Sequence, residues 1–285
     1  MPSRIWFSIF VLAAGWLAAS AVLRPAHARE AVDLELVLAV DVSGSIDEEE
    51  AILQRKGYIE ALNHPQVLAA IKSGYHGRIA VIYIEWAGDH YQRLVADWAV
   101  IGDPAGAKTF TDAIAKVPVS VELWTSISGA IMYTSRLFDP ERFSSKRRVI
   151  DISGDGPNNR GESVTVMRDM AVRMGITING LAIMNDRPSR YGMMPMPNLD
   201  YYYEDCVIGG RGAFVVVAES FADFARAVRR KLILEIAGTD PEPRRAGTDA
   251  RLLHFVADRG PKARRSEHRP PCDYGERRRR DMDEN

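Results

Sequence analysis

The sequence predicts an α/β domain with a doubly wound, mostly parallel six-stranded sheet flanked by helices. Short apolar runs alternate along the chain with stretches whose apolar residues recur every three or four positions. Such alternation of buried strands with amphipathic helices is typical of a parallel sheet covered on both faces. The chain has 285 residues, of which 46% are hydrophobic and 26% charged, with a formal net charge of -1. This is ordinary globular composition, and no basic stripe interleaved with aromatic residues suggests a nucleic-acid partner.

The predicted strands span Leu34 to Val40, Ile79 to Glu85, Arg93 to Trp98, Val149 to Ile152, Ile176 to Ile183 and Ala213 to Val217. Because the third run follows a Gly88-Asp89 turn, we expect it to form a hairpin with the second, which gives one antiparallel edge strand. The predicted helices span Glu48 to Asn63, Ser126 to Phe138, Val164 to Met174 and Phe221 to Ile236. The apolar stripe of the first helix is expected to comprise Ile52, Leu53, Ile59 and Leu62, although Tyr58 and Ala61 blur it.

The first 28 residues have the pattern of a secretory signal peptide. Arg4 precedes a long apolar stretch, Ile5 to Leu23, and Pro25 and the small-x-small sequence Ala26-His27-Ala28 follow it. An uncleaved membrane anchor is the alternative, because the apolar stretch could just span a bilayer. The Ala-x-Ala ending favours cleavage of residues 1–28, so we expect the mature chain to begin near Arg29, with no stable membrane span. On either interpretation the folded part is exported, to the periplasm or out of the cell.

Residues 30–237 are expected to form one domain, and residues 238–285 a disordered polar tail. The tail is rich in Arg, Pro, Asp and Glu and includes the run Arg277 to Arg280. A segment of this composition buries too little apolar surface to offset its chain entropy. The two cysteines are Cys206 in the domain and Cys272 in the tail. An exported protein could join them, but a bridge from a core to a disordered tail would be unusual, so Cys206 is interpreted as a small buried hydrophobic residue.

Oxygen-bearing side chains stand where predicted strands end and where a predicted helix begins. Asp41, Ser43 and Ser45 occupy alternate positions after the first apolar run, Thr125 begins a helix, and Asp155 follows the fourth strand. In a doubly wound sheet the ligand site lies beyond the carboxyl ends of the strands, where we expect these residues to meet. Carboxylates and hydroxyls, without nitrogen or sulfur ligands, are typical of a site for a hard divalent cation such as Mg²⁺, Mn²⁺ or Ca²⁺.

The motif Asp41-x-Ser43-x-Ser45, followed by Thr125 and by Asp155-Gly156, resembles the metal-ion-dependent adhesion site of von Willebrand factor type A domains. The segments VIDISGDGPNN, YIEWAG and YYYEDCVIGGRGAFVVV also resemble an uncharacterised bacterial family of exported A domains. The resemblance covers the whole central region. It implies direct ligation of the ion by Ser43, Ser45 and Thr125, with Asp41 and Asp155 mainly holding metal-bound waters and the serine hydroxyls. It further implies an open coordination position that a carboxylate of a partner protein fills.

Each motif also has a purely structural interpretation. Asp41 and Ser43 could simply end a strand, and Ser45 could cap the helix that follows. Thr125 could be an N-cap, and Asp155-Gly156-Pro157-Asn158 could be only a turn. Three independent coincidences in the right order are harder to accept than one metal site, so metal binding is favoured.

Two further features are interpreted structurally. Glu85, at the end of the second strand, could accept a hydrogen bond from a metal-bound water, but a solvated strand-end glutamate is favoured. The sequence Tyr201-Tyr202-Tyr203 could form a binding surface, but packing of a short helix against the sheet is favoured.

The predicted function is that of an exported, divalent-metal-dependent binding module, not an enzyme, which captures an exposed Asp or Glu carboxylate of a partner protein. The alternative is a metal-dependent hydrolase of the phosphoesterase type, with Asp41 as nucleophile. The Asp-x-Asp pair of that chemistry is missing because position 43 is serine, and His64, His76 and His90 fall in predicted loops. A structural domain with a vestigial site is the third interpretation, and the complete set of five side chains argues against it.

Overall fold

The computed structural model describes residues 29–185, 187–189, 192, 194–238 and 269–284. The strands are β1 (Glu30–Ala31), β2 (Glu35–Asp41), β3 (Ile79–Trp86), β4 (Gln92–Ile101), β5 (Phe143–Ser144), β6 (Arg148–Gly154), β7 (Ile176–Ile183) and β8 (Val215–Ala218). The helices are α1 (Glu48–Leu62), α2 (Pro65–Lys72), α3 (Pro104–Lys116), α4 (Ile127–Ser135), α5 (Val164–Arg173), α6 (Leu199–Tyr202), α7 (Phe224–Ala237) and α8 (Tyr274–Asp283). A π-helical turn, Tyr203–Val207, continues α6, and a 3₁₀ turn, Phe221–Asp223, precedes α7.

The main sheet has the strand order β4-β3-β2-β6-β7-β8. Its neighbouring strands are parallel except β3 and β4, so β4 is the antiparallel edge strand. The predicted doubly wound, mostly parallel six-stranded sheet is therefore confirmed. Because β2 and β6 are parallel neighbours, Asp41 at the end of the first and Asp155 just after the second lie at the same edge of the sheet.

Apolar side chains fill both faces of the sheet. All residues of β2 and β3 are buried. Leu36 and Leu38 belong to the core beneath α1, α3 and α7, whereas Val37 and Ala39 belong to the core beneath α4 and α5. This alternation follows from the two-residue period of a strand that is covered on both sides. Burial of each large aliphatic side chain stabilises the fold by about 1.5–3 kcal/mol.

The buried face of helix α1 matches the predicted one only in part. Leu62 is fully buried and Ile59 packs against the core, as predicted. Ile52 and Leu53, expected in the buried stripe, are 48% and 45% exposed. The helix instead approaches α7 closely at Gly57, where a Cβ atom would lie 2.7 Å from Phe224 Cδ1. This close contact fixes the rotation of the helix and buries Tyr58 completely, with its ring 5.6 Å from that of Phe224.

Residues 269–284 are folded against the domain, whereas the sequence predicts a disordered tail there. Cys272 forms a disulfide bond with Cys206, so the interpretation of Cys206 as an unbridged hydrophobic residue is wrong. Arg269 forms ion pairs at 2.6 Å with both Glu204 and Asp205. The covalent bond brings this polar segment to the domain surface, so its ordering does not require a large apolar face of its own. The rest of the predicted tail, residues 239–268 and Asn285, lies outside the described residues.

The predicted signal peptide, residues 1–28, also lies outside the described residues. Its cleavage and the expected start near Arg29 therefore stay predictions. Among the helices that the structure does describe, none combines the length and apolar character needed to cross a membrane.

Candidate metal centre

The structure brings the five predicted side chains together at the carboxyl ends of β2 and β6. We call Asp41, Ser43, Ser45, Thr125 and Asp155 the oxygen cluster. Ser45 Oγ donates to Asp155 Oδ1 at 2.6 Å, and Thr125 Oγ1 donates to Ser43 Oγ at 3.2 Å. The hydroxyls of Ser43 and Ser45 are 3.2 Å apart. Three separate segments of the chain thus contribute to one continuous set of oxygen atoms.

Asp41 is the buried member of this set. It has no solvent exposure, and its Oδ1 accepts a hydrogen bond from the Ser43 N–H at 2.7 Å. Gln54 Nε2 donates to its backbone carbonyl at 3.2 Å. Its Oδ2 makes no hydrogen bond of normal geometry with the described residues. A buried polar atom without a partner costs about 1–3 kcal/mol, and more if it is charged, so this oxygen is suited to a cation or to its bound water.

Gly154 allows Asp41 and Tyr203 to approach the same point. A Cβ atom at position 154 would lie 2.7 Å from Asp41 Oδ2 and 2.8 Å from Tyr203 Oη. Any larger side chain at this position would displace one of these oxygens. The glycine that precedes Asp155 is therefore a steric requirement of the site.

Thr125 is held in place by a strained turn and by the loop that follows β6. Trp124 has a φ of 68°, a left-handed conformation that costs a bulky residue about 1–3 kcal/mol. The Thr125 N–H donates to Asn159 Oδ1 at 2.9 Å, and the Asn159 N–H donates to the Thr125 carbonyl at 2.8 Å. The guanidinium of Arg160 lies 4.2 Å from the centre of the Trp124 ring. These contacts fix Thr125 relative to the loop that carries Asp155.

The interpretation of Ser45 and Thr125 as helix caps is wrong. Helix α1 begins at a capping box, in which the Glu50 N–H donates to Asp47 Oδ1 at 2.8 Å and the Asp47 N–H donates to Glu50 Oε2 at 3.0 Å. The N-cap of α4 is Ser126. The Ser45 and Thr125 hydroxyls are directed into the oxygen cluster instead.

Burial raises the pKa of both carboxyl groups in the oxygen cluster. It is the main cause for Asp41, and the nearby Asp155 carboxylate raises that pKa further. The pKa of Asp155 is raised to about 6, mainly by burial, while its hydrogen bond with Ser45 lowers it and Glu50 raises it. Two buried carboxyl groups that oppose each other's ionisation favour a neutralising cation.

The donor set fits a hard divalent cation. In the described part of the chain, no cluster of three or more His, Cys, Asp or Glu side chains is placed to hold a metal. An ion at the oxygen cluster would therefore depend on serine and threonine hydroxyls, as the resemblance to the adhesion site implies. Oxygen-only donors suit Mg²⁺, Mn²⁺ or Ca²⁺ better than softer metals.

Glu85 is not the solvated strand-end glutamate that the sequence favours. It is 1% exposed, and its Oε1 accepts hydrogen bonds from Nε of Arg55, at 3.1 Å, and from Nη2. Arg55 also donates to the Val117 carbonyl. The ion pair with Arg55 accounts for the burial of Glu85 without a metal-bound water. Sequence reasoning missed the pair because Arg55 lies on a helix face that the apolar pattern did not single out.

Tyr202 and Tyr203 pack in the core, which confirms the interpretation favoured for this aromatic run. Both are fully buried. Tyr202 Oη accepts from the Asn158 N–H at 3.1 Å and donates to the Cys272 carbonyl at 3.3 Å. Tyr202 therefore connects the loop after β6 to the C-terminal segment.

A cleft of about 370 Å³ adjoins the oxygen cluster, and Ser45, Thr125 and Asp155 line part of it. Helix α8 contributes Arg278, Arg279, Met282 and Asp283 to the lining. Most of the other side chains come from the turn before Thr125 and the loop after β7, and the apolar ones are Leu123, Trp124, Met194, Pro195 and Met196. Sequence reasoning missed this cleft because one of its walls lies in the segment that was predicted to be disordered.

Comparison with known proteins gives a family and a fold. Residues 31–240 match a family described as Protein of unknown function (DUF1194). No curated protein matches the chain.

Solved structures share the fold at low identity. Proximal thread matrix protein 1 from the mussel byssus matches with a TM-score of 0.51 and 14% identity, over 72% of this chain and 47% of that one. The pilus adhesin SpaC from Lactobacillus rhamnosus GG matches with a TM-score of 0.50 and 13% identity, over 71% of this chain and 31% of that one. A von Willebrand factor type A structure from Catenulispora acidiphila matches with a TM-score of 0.47 and 12% identity, over 72% and 43%. This chain therefore spans less than half of each of these structures. The first two share its overall fold.

Proposed function

The chain belongs to the family described as Protein of unknown function (DUF1194), and we propose that this member is an exported, divalent-metal-dependent binding module. In this proposal the oxygen cluster holds the ion, and the ion captures an exposed Asp or Glu carboxylate of a partner protein. Two of the structures that share the fold are a pilus adhesin and a thread matrix protein. A role in protein binding is compatible with both descriptions.

The observation that carries the proposal is the convergence of two buried carboxyl groups and three hydroxyls on one point. Ser43, Ser45 and Thr125 would ligate the ion directly, and Asp41 and Asp155 would hold its waters. Because the three direct ligands are neutral and the two carboxylates are not bound to the ion, the ion keeps affinity for an anionic ligand, and Mg²⁺ in particular keeps several waters that such a ligand can replace. An anionic group of the partner is therefore attracted to the site.

A metal-dependent hydrolase is less well supported. Among the described residues, no histidine lines the cleft beside the oxygen cluster. Among the described residues that line the cleft, the carboxylate outside the oxygen cluster is that of Asp283, and it is paired with Arg279 at 3.0 Å rather than poised as a general base.

Export is supported by the disulfide bond as well as by the predicted signal peptide. Cys206 and Cys272 are bonded to each other. Disulfides form and persist mainly in oxidising compartments such as the periplasm and the cell exterior. The disulfide bond and the predicted signal peptide therefore both support a location outside the cytoplasm.

We expect the exported protein to begin at or near Arg29, because the Ala-x-Ala sequence ends at Ala28. Intact-mass measurement on protein purified from the periplasm should give the mass of residues 29–285, less two hydrogens for the disulfide bond. Retention of Met1 in a membrane fraction would contradict cleavage.

Alanine in place of Thr125 should weaken Mg²⁺ binding, because it removes one of three proposed direct ligands. Calorimetry on the wild type should show one Mg²⁺ ion per chain. Thr109→Ala is the matched control, since Thr109 is an exposed threonine on α3 and donates only to the Ala105 carbonyl of its own helix. Equal weakening by both substitutions, or no Mg²⁺ binding by the wild type, would reject the site.

A further inference from the structure

Four large apolar side chains that remain accessible to solvent line the same cleft. Leu123, Trp124, Met194 and Met282 are 54%, 38%, 59% and 46% exposed. Exposed apolar groups that are gathered in one place on a domain mark a binding surface. The cleft volume of about 370 Å³ is at the lower end of the range of ligand pockets, about 300–1,000 Å³. It therefore suits a few side chains of an extended segment.

Helix α8 is a preformed wall of this cleft. The disulfide bond anchors the segment that leads into the helix. Asn158 Nδ2 donates to Glu276 Oε1 at 2.8 Å, and Arg278 Nη1 donates to the Met194 carbonyl at 2.8 Å. The backbone at Gly275 lies so close to the loop after β6 that a Cβ atom there would be 2.1 Å from the Asn158 carbonyl oxygen. A wall that is ordered before binding reduces the entropy that binding must offset.

Trp124 lines the cleft next to Thr125, a member of the oxygen cluster. Its left-handed backbone conformation is maintained next to Thr125, and Arg160 covers its ring at 4.2 Å. Strain of this kind persists where the surrounding structure holds a residue in a required position. Trp124 therefore presents an aromatic surface directly beside the place where a ligand of the ion would sit.

The charges at the cleft favour an anionic occupant. Arg187 is paired with Glu50, and Arg279 is paired with Asp283 at 3.0 Å. Arg278 also lines the cleft, and no described carboxylate lies within ion-pair distance of it. Together with a divalent ion, Arg278 gives the cleft an excess of positive charge next to its apolar surface.

We infer that the cleft binds an apolar side chain adjacent to the acidic residue of the partner, so that the ligand is a peptide segment with Asp or Glu next to Leu, Met or an aromatic residue. The inference rests on the proposed function, because the acidic residue is the one captured at the ion. The oxygen cluster selects for the carboxylate of the peptide. The cleft between Trp124 and α8 selects for the apolar residue next to it.

The test compares three acetylated and amidated pentapeptides, Gly-Gly-Asp-Leu-Gly, Gly-Leu-Asp-Gly-Gly and Gly-Gly-Asp-Gly-Gly, by calorimetry in Mg²⁺ and in EDTA. We expect at least one leucine peptide to bind about tenfold or more tightly than the glycine peptide in Mg²⁺, as burial of a leucine side chain allows. None should bind in EDTA. The double substitution Met194→Asn with Met282→Asn should remove this preference and leave Mg²⁺ affinity unchanged.

The matched control is Met170→Asn with Met174→Asn, because these methionines are 46% and 49% exposed and do not line the cleft. This control should keep the preference.

Equal binding of leucine and glycine peptides, or a preference that survives loss of Met194 and Met282, would overturn the inference while the proposed function stands. Mg²⁺ binding without binding of any peptide would overturn carboxylate capture itself. A wild-type dimer that the double substitution makes monomeric would assign the cleft to a second copy of the chain and overturn the peptide as its occupant.

Discussion

Replacing Lys231 with methionine should lower the free energy of unfolding by about 3–5 kcal/mol, because it leaves two buried carboxyl groups without their cation. Lys231 is 1% exposed, and its Nζ lies 2.6 Å from Asp151 Oδ1 and 2.5 Å from Glu235 Oε1. Asn179 Nδ2 donates to the same Glu235 oxygen at 3.0 Å. Methionine preserves most of the apolar stem but supplies no charge and no donor. Urea denaturation of the two proteins measures the difference.

The control for this prediction is Lys108→Met. The Lys108 side chain is 71% exposed and its Nζ lies 2.7 Å from Asp112 on the same helix. An exposed pair of this kind contributes about 0.3–0.5 kcal/mol. If Lys231→Met costs no more than Lys108→Met, Lys231 does not stabilise the buried carboxyl groups in the way its contacts indicate.

The cost of Lys231→Met should also increase with pH. The pKa of Asp151 is raised to about 7, mainly by burial and then by the nearby Glu235 carboxylate, while Lys231 lowers it. A carboxyl group whose pKa is higher in the folded than in the unfolded chain contributes most stability below its unfolded pKa. That contribution is lost as the pH rises through the folded pKa of about 7. Without Lys231 the pKa of Asp151 would be higher still, so the difference between the two proteins should be larger at about pH 8 than at about pH 5.

The burial of Lys231 is a feature that the sequence could not predict. The helical spacing around it predicts α7 correctly, with Phe224 and Leu232 buried as expected. A lysine in such a helix is normally exposed, and its burial here depends on Asp151 in the middle of β6. The apolar runs predict that β6 exists, but they carry no information on which helix residue faces its one internal carboxyl group.

The oxygen cluster was predictable for a topological reason. Its members lie at or just after the end of a strand, or just before a helix, and parallel strands end at one edge of the sheet. Once Leu34 to Val40 and Val149 to Ile152 are taken as neighbouring parallel strands, Asp41 and Asp155 must lie near each other. The cleft beside them was not predictable in this way, because α8 is held by the bond of Cys272 to Cys206 rather than by an apolar face.

Asparagine in place of Asp41 should weaken Mg²⁺ binding by about 10–100-fold, the usual effect of losing a group that orients the ligands of a metal. Asparagine has nearly the same shape and can still accept the hydrogen bond that the Ser43 N–H makes at 2.7 Å. The substitution therefore removes mainly the negative charge from a fully buried position. Its effect on the ion should be far larger than its effect on the fold.

Denaturation with and without Mg²⁺ separates these two effects. At a Mg²⁺ concentration of about 100 times the wild-type dissociation constant, the free energy of unfolding should rise by about 2.7 kcal/mol in the wild type. With a hundredfold weaker site the same concentration should add only about 0.4 kcal/mol. In EDTA, Asp41→Asn should be at least as stable as the wild type, because it removes a buried negative charge that lies close to the Asp155 carboxylate.

Asp47→Asn provides the matched control, because it makes the same change of charge at an exposed position close to the oxygen cluster. Asp47 is the N-cap of α1, a position where asparagine is as favourable as aspartate. We expect this variant to bind Mg²⁺ as the wild type does. Equal Mg²⁺ affinity in the wild type and Asp41→Asn would contradict the site. Equal weakening by Asp41→Asn and Asp47→Asn would show that net charge near the cluster, and not the buried carboxylate, determines the affinity.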